Sequence, residues 1–239
     1  MRSAIVSAFA VIMLVSCVTV SPPSQVSRGP GWYTVKRSDT LYSIAWRYGL
    51  DYKHLARWNQ IDVNEPIHPG QRLRLVKPQG GVVAESAASK PDSARKAQGS
   101  SNKAKTSASS SEPPGRDPSK WIWPTEGKPL NTFLASKLDR RGIDIAGKIG
   151  QPVRAVADGK VVYSGNGLAG YGNLIIIRHS DTYLSAYAYC QERLVQEGVT
   201  VKAGKVVAKM GSRDNTAQLH FEIRRNGKPV DPMKYLPNR

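Results

Sequence analysis

The chain is poor in the two residue types that build most metal and disulfide sites. Its 239 residues include four histidines and two cysteines. Two cysteines do not supply the disulfide framework of a small secreted domain. The sequence also lacks zinc-finger spacing, a recognition-helix pattern and a single-strand-binding motif, which argues against nucleic acid as a partner.

Acidic residues are scarce relative to basic ones. Lys and Arg number 35 and Asp and Glu number 18, which gives a formal net charge of +17 at pH 7. A chain this positive favours polyanionic surroundings, such as an acidic cell-wall polymer, anionic lipid or nucleic acid. Charge alone does not choose among them.

The N-terminal apolar run is too short to cross a bilayer as a helix. The run from Ala4 to Val15 is about a dozen residues long, against the roughly 20 that a span requires. It therefore predicts a cleaved signal peptide.

The run ends in Leu14-Val15-Ser16-Cys17, which resembles the lipobox of bacterial lipoproteins. The resemblance implies that residues 1–16 are a signal, that Cys17 is acylated, and that residues 17–31 form a tether. Val18, rather than Asp, implies an outer membrane lipoprotein that faces the periplasm of a Gram-negative bacterium. An ordinary cleaved signal with an incidental cysteine is the alternative. The other cysteine, Cys190, is expected to be a buried small hydrophobe.

Residues 32–76 predict a small βααβ domain. Strands alternate apolar and polar residues, and the helices repeat apolar residues at helical spacing. The predicted elements are a strand at 32–36, a helix capped by Asp39-Thr40 and ended by Gly49, a helix ended by Asn59, and a strand at 72–76.

This block resembles a LysM module. The matching segments are Tyr33-Thr34-Val35, Asp39-Thr40-Leu41, Ile44-Ala45, Leu55, Asn59, Ile67 and Pro69 to Leu73, with Ser38 where a Gly is usual. LysM modules bind glycans that contain N-acetylglucosamine, such as peptidoglycan, so the resemblance implies a groove between two loops. The candidate glycan-binding residues are Asp39, Thr40, Leu41, Ile67, Pro69 and Gly70. Taken without the resemblance, these are ordinary capping and turn residues.

Residues 77–119 predict a disordered linker. Gly, Ser, Ala, Lys and Pro dominate there, and large apolar residues nearly vanish. Such a segment buries too little apolar surface to offset its chain entropy. At roughly 5–6 Å × √n, some forty residues span on the order of 35 Å. We therefore expect the two flanking domains to act independently.

Residues 120–239 predict a mainly antiparallel β domain. Short strands alternate with glycine turns at regular spacing. The expected elements are a hairpin that joins strands 153–157 and 160–163 at Asp158-Gly159, a second hairpin of strands 173–178 and 182–187, a turn flanked by strands within 201–208, and a strand at 220–224.

This half resembles the LytM family of peptidoglycan endopeptidases, peptidase family M23. The matching segments are Gly142-Ile143-Asp144, residues 150–162 and Leu219-His220-Phe221-Glu222. In that family a zinc ion is held by His, Asp and His, and two further histidines transfer protons. The resemblance implies the LytM β-fold.

By this resemblance, only two of the five site positions keep the residue that the family has there. Asp144 and His220 stand at ligand positions, whereas Arg140, Tyr189 and Gln218 stand where the family has a ligand His and two catalytic His. Two ligands hold zinc poorly, and a guanidinium repels a dication. Tyr and Gln do not take up a proton near neutral pH as His does. We therefore expect no catalytic residue, no cofactor and no metal, with Asp144 and His220 as vestiges.

His179 is the remaining histidine of this half. In the family pattern a His at this place commonly follows the strand and is not a ligand. A different alignment of the site loop, with His179 completing the zinc site, remains the alternative.

A lipobox, one LysM, a linker and a degenerate LytM domain, in that order, resemble the NlpD-type murein hydrolase activators. The segments Gly170 to Ile177 and Tyr235-Leu236-Pro237 fit that group. The resemblance implies a non-catalytic protein that binds peptidoglycan and switches on a periplasmic N-acetylmuramoyl-L-alanine amidase during cell separation. The implied amidase contact is the groove at Arg140, Asp144, Tyr189, Gln218 and His220. The alternatives are an active zinc-dependent endopeptidase and a passive tether between outer membrane and peptidoglycan.

Overall fold

A computed structural model describes residues 31–78, 117–136 and 141–238. The first range forms the N-terminal domain, and the other two form the C-terminal domain. Cys17 with its signal and tether, most of the linker, and Arg140 lie outside the described residues, so the expectations for them remain predictions. Among the described helices, none has the length and hydropathy of a membrane span.

The N-terminal domain has the order β1 (Trp32–Thr34), α1 (Leu41–Tyr48), α2 (Tyr52–Asn59) and β2 (Arg72–Arg74), which confirms the βααβ prediction. β1 and β2 pair antiparallel. α1 begins with a capping box, because the Thr40 hydroxyl accepts from Ser43 N and the Ser43 hydroxyl accepts from Thr40 N. Gly49 ends α1 at a φ of 63°, in the left-handed region that glycine adopts without strain.

Asn59 is the last residue of α2, and its side chain also ties that helix to β2. The Asn59 amide donates to the Arg74 carbonyl at 2.9 Å and accepts from Arg74 N at 2.6 Å. The same amide donates to the Leu55 carbonyl at 2.7 Å. One side chain thus satisfies backbone groups both at the end of α2 and on β2.

The C-terminal domain is an antiparallel β structure, as the sequence predicted. Its strands are β3 (Ile143–Ala146), β4 (Pro152–Arg154), β5 (Gly159–Gly165), β6 (Asn173–Arg178), β7 (Tyr183–Arg193), β8 (Thr200–Val201), β9 (Val206–Met210), β10 (Ser212–Arg213), β11 (Thr216–Arg225) and β12 (Lys228–Val230). A 3₁₀ turn, Pro232–Lys234, follows. The main sheet order is β10-β11-β7-β6-β5-β8, with β3 and β12 on β11, and with β9 joining β4 to β7.

The predicted hairpin at Asp158-Gly159 is wrong. β4 pairs with β9, whereas β5 pairs with β6 and β8. The apolar residues between β4 and β5 are buried in the core and do not form a turn between two paired strands. The backbone N–H of Ala155 donates a hydrogen bond to the Lys205 carbonyl. The Asp158 carboxylate accepts from Ala203 N at 2.8 Å, which fixes this corner to the turn between β8 and β9. The second hairpin, β6 with β7, is confirmed.

Cys190 is buried, as expected, and His179, which follows β6, is buried too. His179 Nδ1 donates to the Asp158 carbonyl at 2.7 Å, and the ring packs edge-on against Trp121. Burial lowers the pKa of His179 to about 4, so the ring is neutral near pH 7. Burial likewise raises the pKa of the Cys190 thiol to about 12, which favours the protonated thiol near pH 7.

The two domains pack against each other in the described residues, so the expectation of independent domains is wrong for this structure. Helix α1 lies on the face of the C-terminal sheet opposite the main core, and the two domains share one apolar cluster. A sheet with apolar side chains on both faces needs a second covering layer. The buried residues of the C-terminal domain in this cluster are Val162, Tyr163, Leu168, Leu174, Ile176, Leu184, Ala186 and Ala188.

Candidate functional site

The alternation of β11 places the polar side chains of the site on one face. Leu219, Phe221 and Ile223 enter the main core, so His220, Glu222 and Arg224 point to the opposite face. β3 pairs with β11 so that Asp144 stands directly opposite His220. The two residues therefore meet, with His220 Nδ1 2.7 Å from Asp144 Oδ1.

Four buried side chains of alternating charge follow one another along this face. After Asp144 and His220 comes Glu222, whose Oε1 lies 3.3 Å from His220 Nε2. Arg224 closes the row, with Nε donating to Glu222 Oε2 at 3.0 Å and Nη2 at 2.9 Å from the same oxygen. All four are buried.

The row sets the protonation of its members. Burial alone would lower the pKa of His220, but its hydrogen bonds to Asp144 and Glu222 raise that pKa to about 9. Burial alone would raise the pKa of Glu222, but Arg224 and His220 lower it to about 2. The two carboxylates that face the ring nitrogens of His220 thus favour its protonated form near neutral pH.

Residues from two loops hold the carboxylates in place. Asn131 donates to Asp144 Oδ2 at 2.6 Å and accepts from Asp144 N at 2.9 Å. The Tyr171 hydroxyl donates to Glu222 Oε1 at 2.8 Å. Sequence reasoning missed these contributions. The alternation of side chains along β11 could have indicated that Glu222 and Arg224 share the face of His220. No local sequence pattern indicates Asn131 or Tyr171.

The candidate groove residues Tyr189 and Gln218 lie beside the row. Tyr189 has a φ of 58°, and its ring centre is 5.6 Å from that of His220. Gln218 pairs with Ala146 of β3 and shares the face of His220, two residues along β11. Arg213, also missed from the sequence, donates to the Tyr189 hydroxyl at 2.7 Å and stacks on its ring.

The residues of this site do not fit a catalytic zinc ion. Such an ion takes three protein ligands and keeps an open position. Within the described ranges, no three His, Cys, Asp or Glu side chains are grouped to hold a metal. Both nitrogens of His220 face carboxylates, and the amide of Gln218 and the phenol of Tyr189 are poor substitutes for imidazole.

The candidate glycan-binding residues divide into two sets. Asp39, Thr40, Leu41 and Ile67 line one open cavity of about 290 Å³, between the N-terminal domain and β5 of the C-terminal domain. Pro69 and Gly70 are exposed on the turn before β2 and do not line it. The Asp39 carboxylate is engaged within its own domain, by the Tyr33 hydroxyl at 2.6 Å and by Lys36 N at 2.8 Å.

Known families match the chain at its two domains. The LysM domain family matches residues 33–76, and Peptidase family M23 matches residues 139–232. The Lipoprotein NlpD/LppB homolog of Pseudomonas aeruginosa is 43% identical over 244 residues, which cover 92% of this chain and 82% of that relative. The chain belongs to the NlpD family.

Two further similarities extend this comparison. Murein hydrolase activator NlpD of Escherichia coli is 42% identical over 257 residues, covering 87% of this chain and 68% of that relative. Among solved structures, a zinc containing peptidase from Vibrio cholerae is 30% identical, with a TM-score of 0.46, and covers 50% of this chain and 41% of that one. In this chain the LysM match precedes the Peptidase family M23 match.

Proposed function

We propose that this protein activates a periplasmic N-acetylmuramoyl-L-alanine amidase and does not itself cut peptidoglycan. The observation that carries the proposal is the position of the buried His220 ring, whose two nitrogens face the carboxylates of Asp144 and Glu222 at 2.7 and 3.3 Å. A peptidase of this fold family needs a metal-ligating imidazole there. Membership in the NlpD family supports it, since relatives bear the name murein hydrolase activator.

The N-terminal domain supplies the peptidoglycan contact in this proposal. Its match to the LysM family supports binding of N-acetylglucosamine-containing glycan at the two candidate loops. The net charge of +17 favours an anionic wall polymer. Acylation of Cys17 would hold the chain at the outer membrane, on its periplasmic side, in keeping with relatives that are named lipoproteins.

The groove of the C-terminal domain acts by shifting the population of the amidase's states. A surface that binds one state better than another stabilises that state by the difference in affinity. Here the favoured state is one in which an inhibitory segment has left the amidase's own active site. The contact comprises Tyr189, Gln218 and Arg140, with Asp144 and His220 as the rigid floor beneath.

Release of dye from labelled peptidoglycan tests this function. The purified protein is assayed alone, with added zinc, and with each candidate periplasmic amidase. Release that requires an amidase supports activation and identifies the partner. Release by the protein alone that a chelator abolishes would show an active endopeptidase. No release in any mixture, with the protein still pelleting with peptidoglycan, would favour the passive tether.

Charge reversal at Arg140 tests the contact itself. Arg140→Glu is expected to reduce amidase stimulation at least several-fold, because an arginine that pairs with an acidic segment becomes repulsive. Pelleting with peptidoglycan should not change. Lys205→Glu, on the exposed turn between β8 and β9, carries the same charge change away from the groove and serves as control. Equal stimulation by both variants and the parent protein would refute this contact.

A further inference from the structure

The N-terminal domain covers part of the face that carries the charged row. Arg224 Nη1 donates to the Trp46 carbonyl at 2.8 Å, and the guanidinium lies 3.5 Å from the centre of the Trp46 ring. A cation–π contact is stronger when, as here, the cation is desolvated. Lys228 adds a hydrogen bond to the Gly49 carbonyl at 3.2 Å. One end of the row therefore lies beneath α1.

The same docking uses the first candidate glycan loop. The Thr40 hydroxyl donates to the Val162 carbonyl of β5 at 3.2 Å, and Leu41 is buried in the cluster that the two domains share. Arg47 of α1 donates to the Gly167 carbonyl at 3.1 Å. Two of the residues that a glycan would need thus already contact the C-terminal sheet.

The space left at this loop is small. The cavity between the loop, Ile67 and β5 measures about 290 Å³, at the lower limit of the ~300–1,000 Å³ of ligand pockets. A strand of several sugars needs the loop pair open along its length. It cannot occupy the loops while β5 remains against Thr40.

The docked interface is also imperfectly paired. Three buried polar atoms in the described part of the chain have no hydrogen-bond partner of good geometry: Trp46 Nε1, the Tyr52 hydroxyl and Arg178 Nε. Tyr52 and Arg178 face each other across the domains closely enough to interact electrostatically. The polar contacts of Trp46, Tyr52 and Arg178 at the docked interface are therefore loose ones.

We propose that the N-terminal domain is a removable cover on the C-terminal sheet, and that peptidoglycan glycan and the sheet compete for the loop at Thr40 and Leu41. Glycan binding releases the cover and exposes Ala186, Ala188 and the Arg224 end of the row. The inference deepens the proposed function and rests on it for its consequence, since the exposed face adjoins the amidase groove. The competition between glycan and the C-terminal sheet for this loop can be measured without an amidase.

A substitution at Gly227 is expected to weaken docking of the N-terminal domain without changing the glycan loop or the charged row. A Cβ at this position would come 2.3 Å from the Leu50 carbonyl oxygen of the N-terminal domain. Gly227→Asn therefore opposes docking, and Asn is among the residues that best tolerate its φ of 74°. Gly204→Asn is the matched control, because Gly204 has a φ of 83° and its Cβ would meet nothing closer than 3.9 Å.

Hydroxyl-radical footprinting with mass spectrometry reads the docked state in the full chain. Trp46 is 2% exposed and reports the interface, while Trp121 in the main core serves as internal reference. A soluble N-acetylglucosamine hexamer should raise oxidation of Trp46 several-fold and leave Trp121 unchanged. Gly227→Asn should raise the oxidation of Trp46 even without glycan. This variant should also bind the hexamer several-fold more tightly than Gly204→Asn, because a smaller fraction of its molecules is docked.

Two outcomes would overturn the competition. Oxidation of Trp46 that falls on adding the hexamer would place the glycan between the docked domains. Equal hexamer affinity of the two variants, with Trp46 exposed in Gly227→Asn, would show that docking does not occupy the glycan loop.

Dye release with an amidase then separates this inference from the proposed function. Stronger stimulation by Gly227→Asn than by Gly204→Asn supports the cover as a regulator, and equal stimulation refutes that role. Absence of stimulation by every form of the protein would count against the proposed function, while the footprint would still decide the competition.

Discussion

His220 Nδ1 lies 2.7 Å from Asp144 Oδ1, at hydrogen-bond distance. Two ligands of one tetrahedral zinc, each ~2.0–2.1 Å from the metal, stand roughly 3.3 Å apart. The two side chains are thus closer than co-ligands of one zinc ion. Glu222 Oε1 lies 3.3 Å from the other ring nitrogen, so both nitrogens of His220 have a carboxylate neighbour.

Arg140→His is expected to restore zinc binding. The substitution supplies the third donor that the alignment with the M23 pattern lacks, and a zinc ion would then displace the proton of His220. Calorimetric titration should show stoichiometric zinc binding by the variant and none at the same concentrations by the parent protein. Arg141→His, one position along, is the control, and zinc binding by it would mean that the site is aligned differently.

Arg224→Met is expected to destabilise the fold by about 3–5 kcal/mol, because it leaves the buried carboxylate of Glu222 without its cation. Urea unfolding followed by circular dichroism measures the change. Arg225→Met removes the same charge from the adjacent exposed residue and should change stability by less than about 0.5 kcal/mol. Similar losses from the two substitutions would contradict a role for the Glu222–Arg224 pair.

The stability of the C-terminal domain should fall on the alkaline side between pH 6.5 and 9. The pKa of His220 is raised from 6.5 to about 9, so its stabilisation is complete below pH 6.5 and is lost as the pH rises through 9. The full effect is on the order of 3 kcal/mol. The groups that face this ring are Asp144, Glu222, Tyr171 and Tyr189.

Two other groups act on the acidic side. The pKa of His179 is lowered from 6.5 to about 4 and that of Glu222 from 4.5 to about 2, so each contributes stability that is lost as the pH falls. Unfolding free energies from pH 4 to pH 9.5 should therefore peak near pH 6.5. His220→Gln should flatten the alkaline limb, and His68→Gln, an exposed control, should not. An alkaline limb that survives His220→Gln would contradict the assignment.

Asn59→Ala is expected to destabilise the N-terminal domain by about 1–3 kcal/mol. The substitution leaves the backbone N–H and carbonyl of Arg74, and the Leu55 carbonyl, without their partner. Thermal unfolding of the full chain should show the loss. Asn64→Ala changes an exposed asparagine of the same domain and should be nearly neutral. Equal behaviour of the two would refute this role of Asn59.

Local pattern predicted the elements well where a single physical signal dominates. The capping residue Thr40 and the left-handed Gly49 delimit α1 as expected. The period-2 alternation of β11 places His220 on one face. The signal failed at Asp158-Gly159, because turn preference is local, whereas the pairing of β4 with β9 is decided by burial of the apolar segment after β4.

The sequence by itself determined the two domain types, the βααβ order and the antiparallel sheet. These follow from periodicity, turn chemistry and residue identity along the chain. Only the tertiary structure decided that His220 lies between two carboxylates, that Arg224 lies beneath Trp46, and that the domains dock. Such contacts join residues up to 179 positions apart, and their strength depends on burial, which no local pattern specifies.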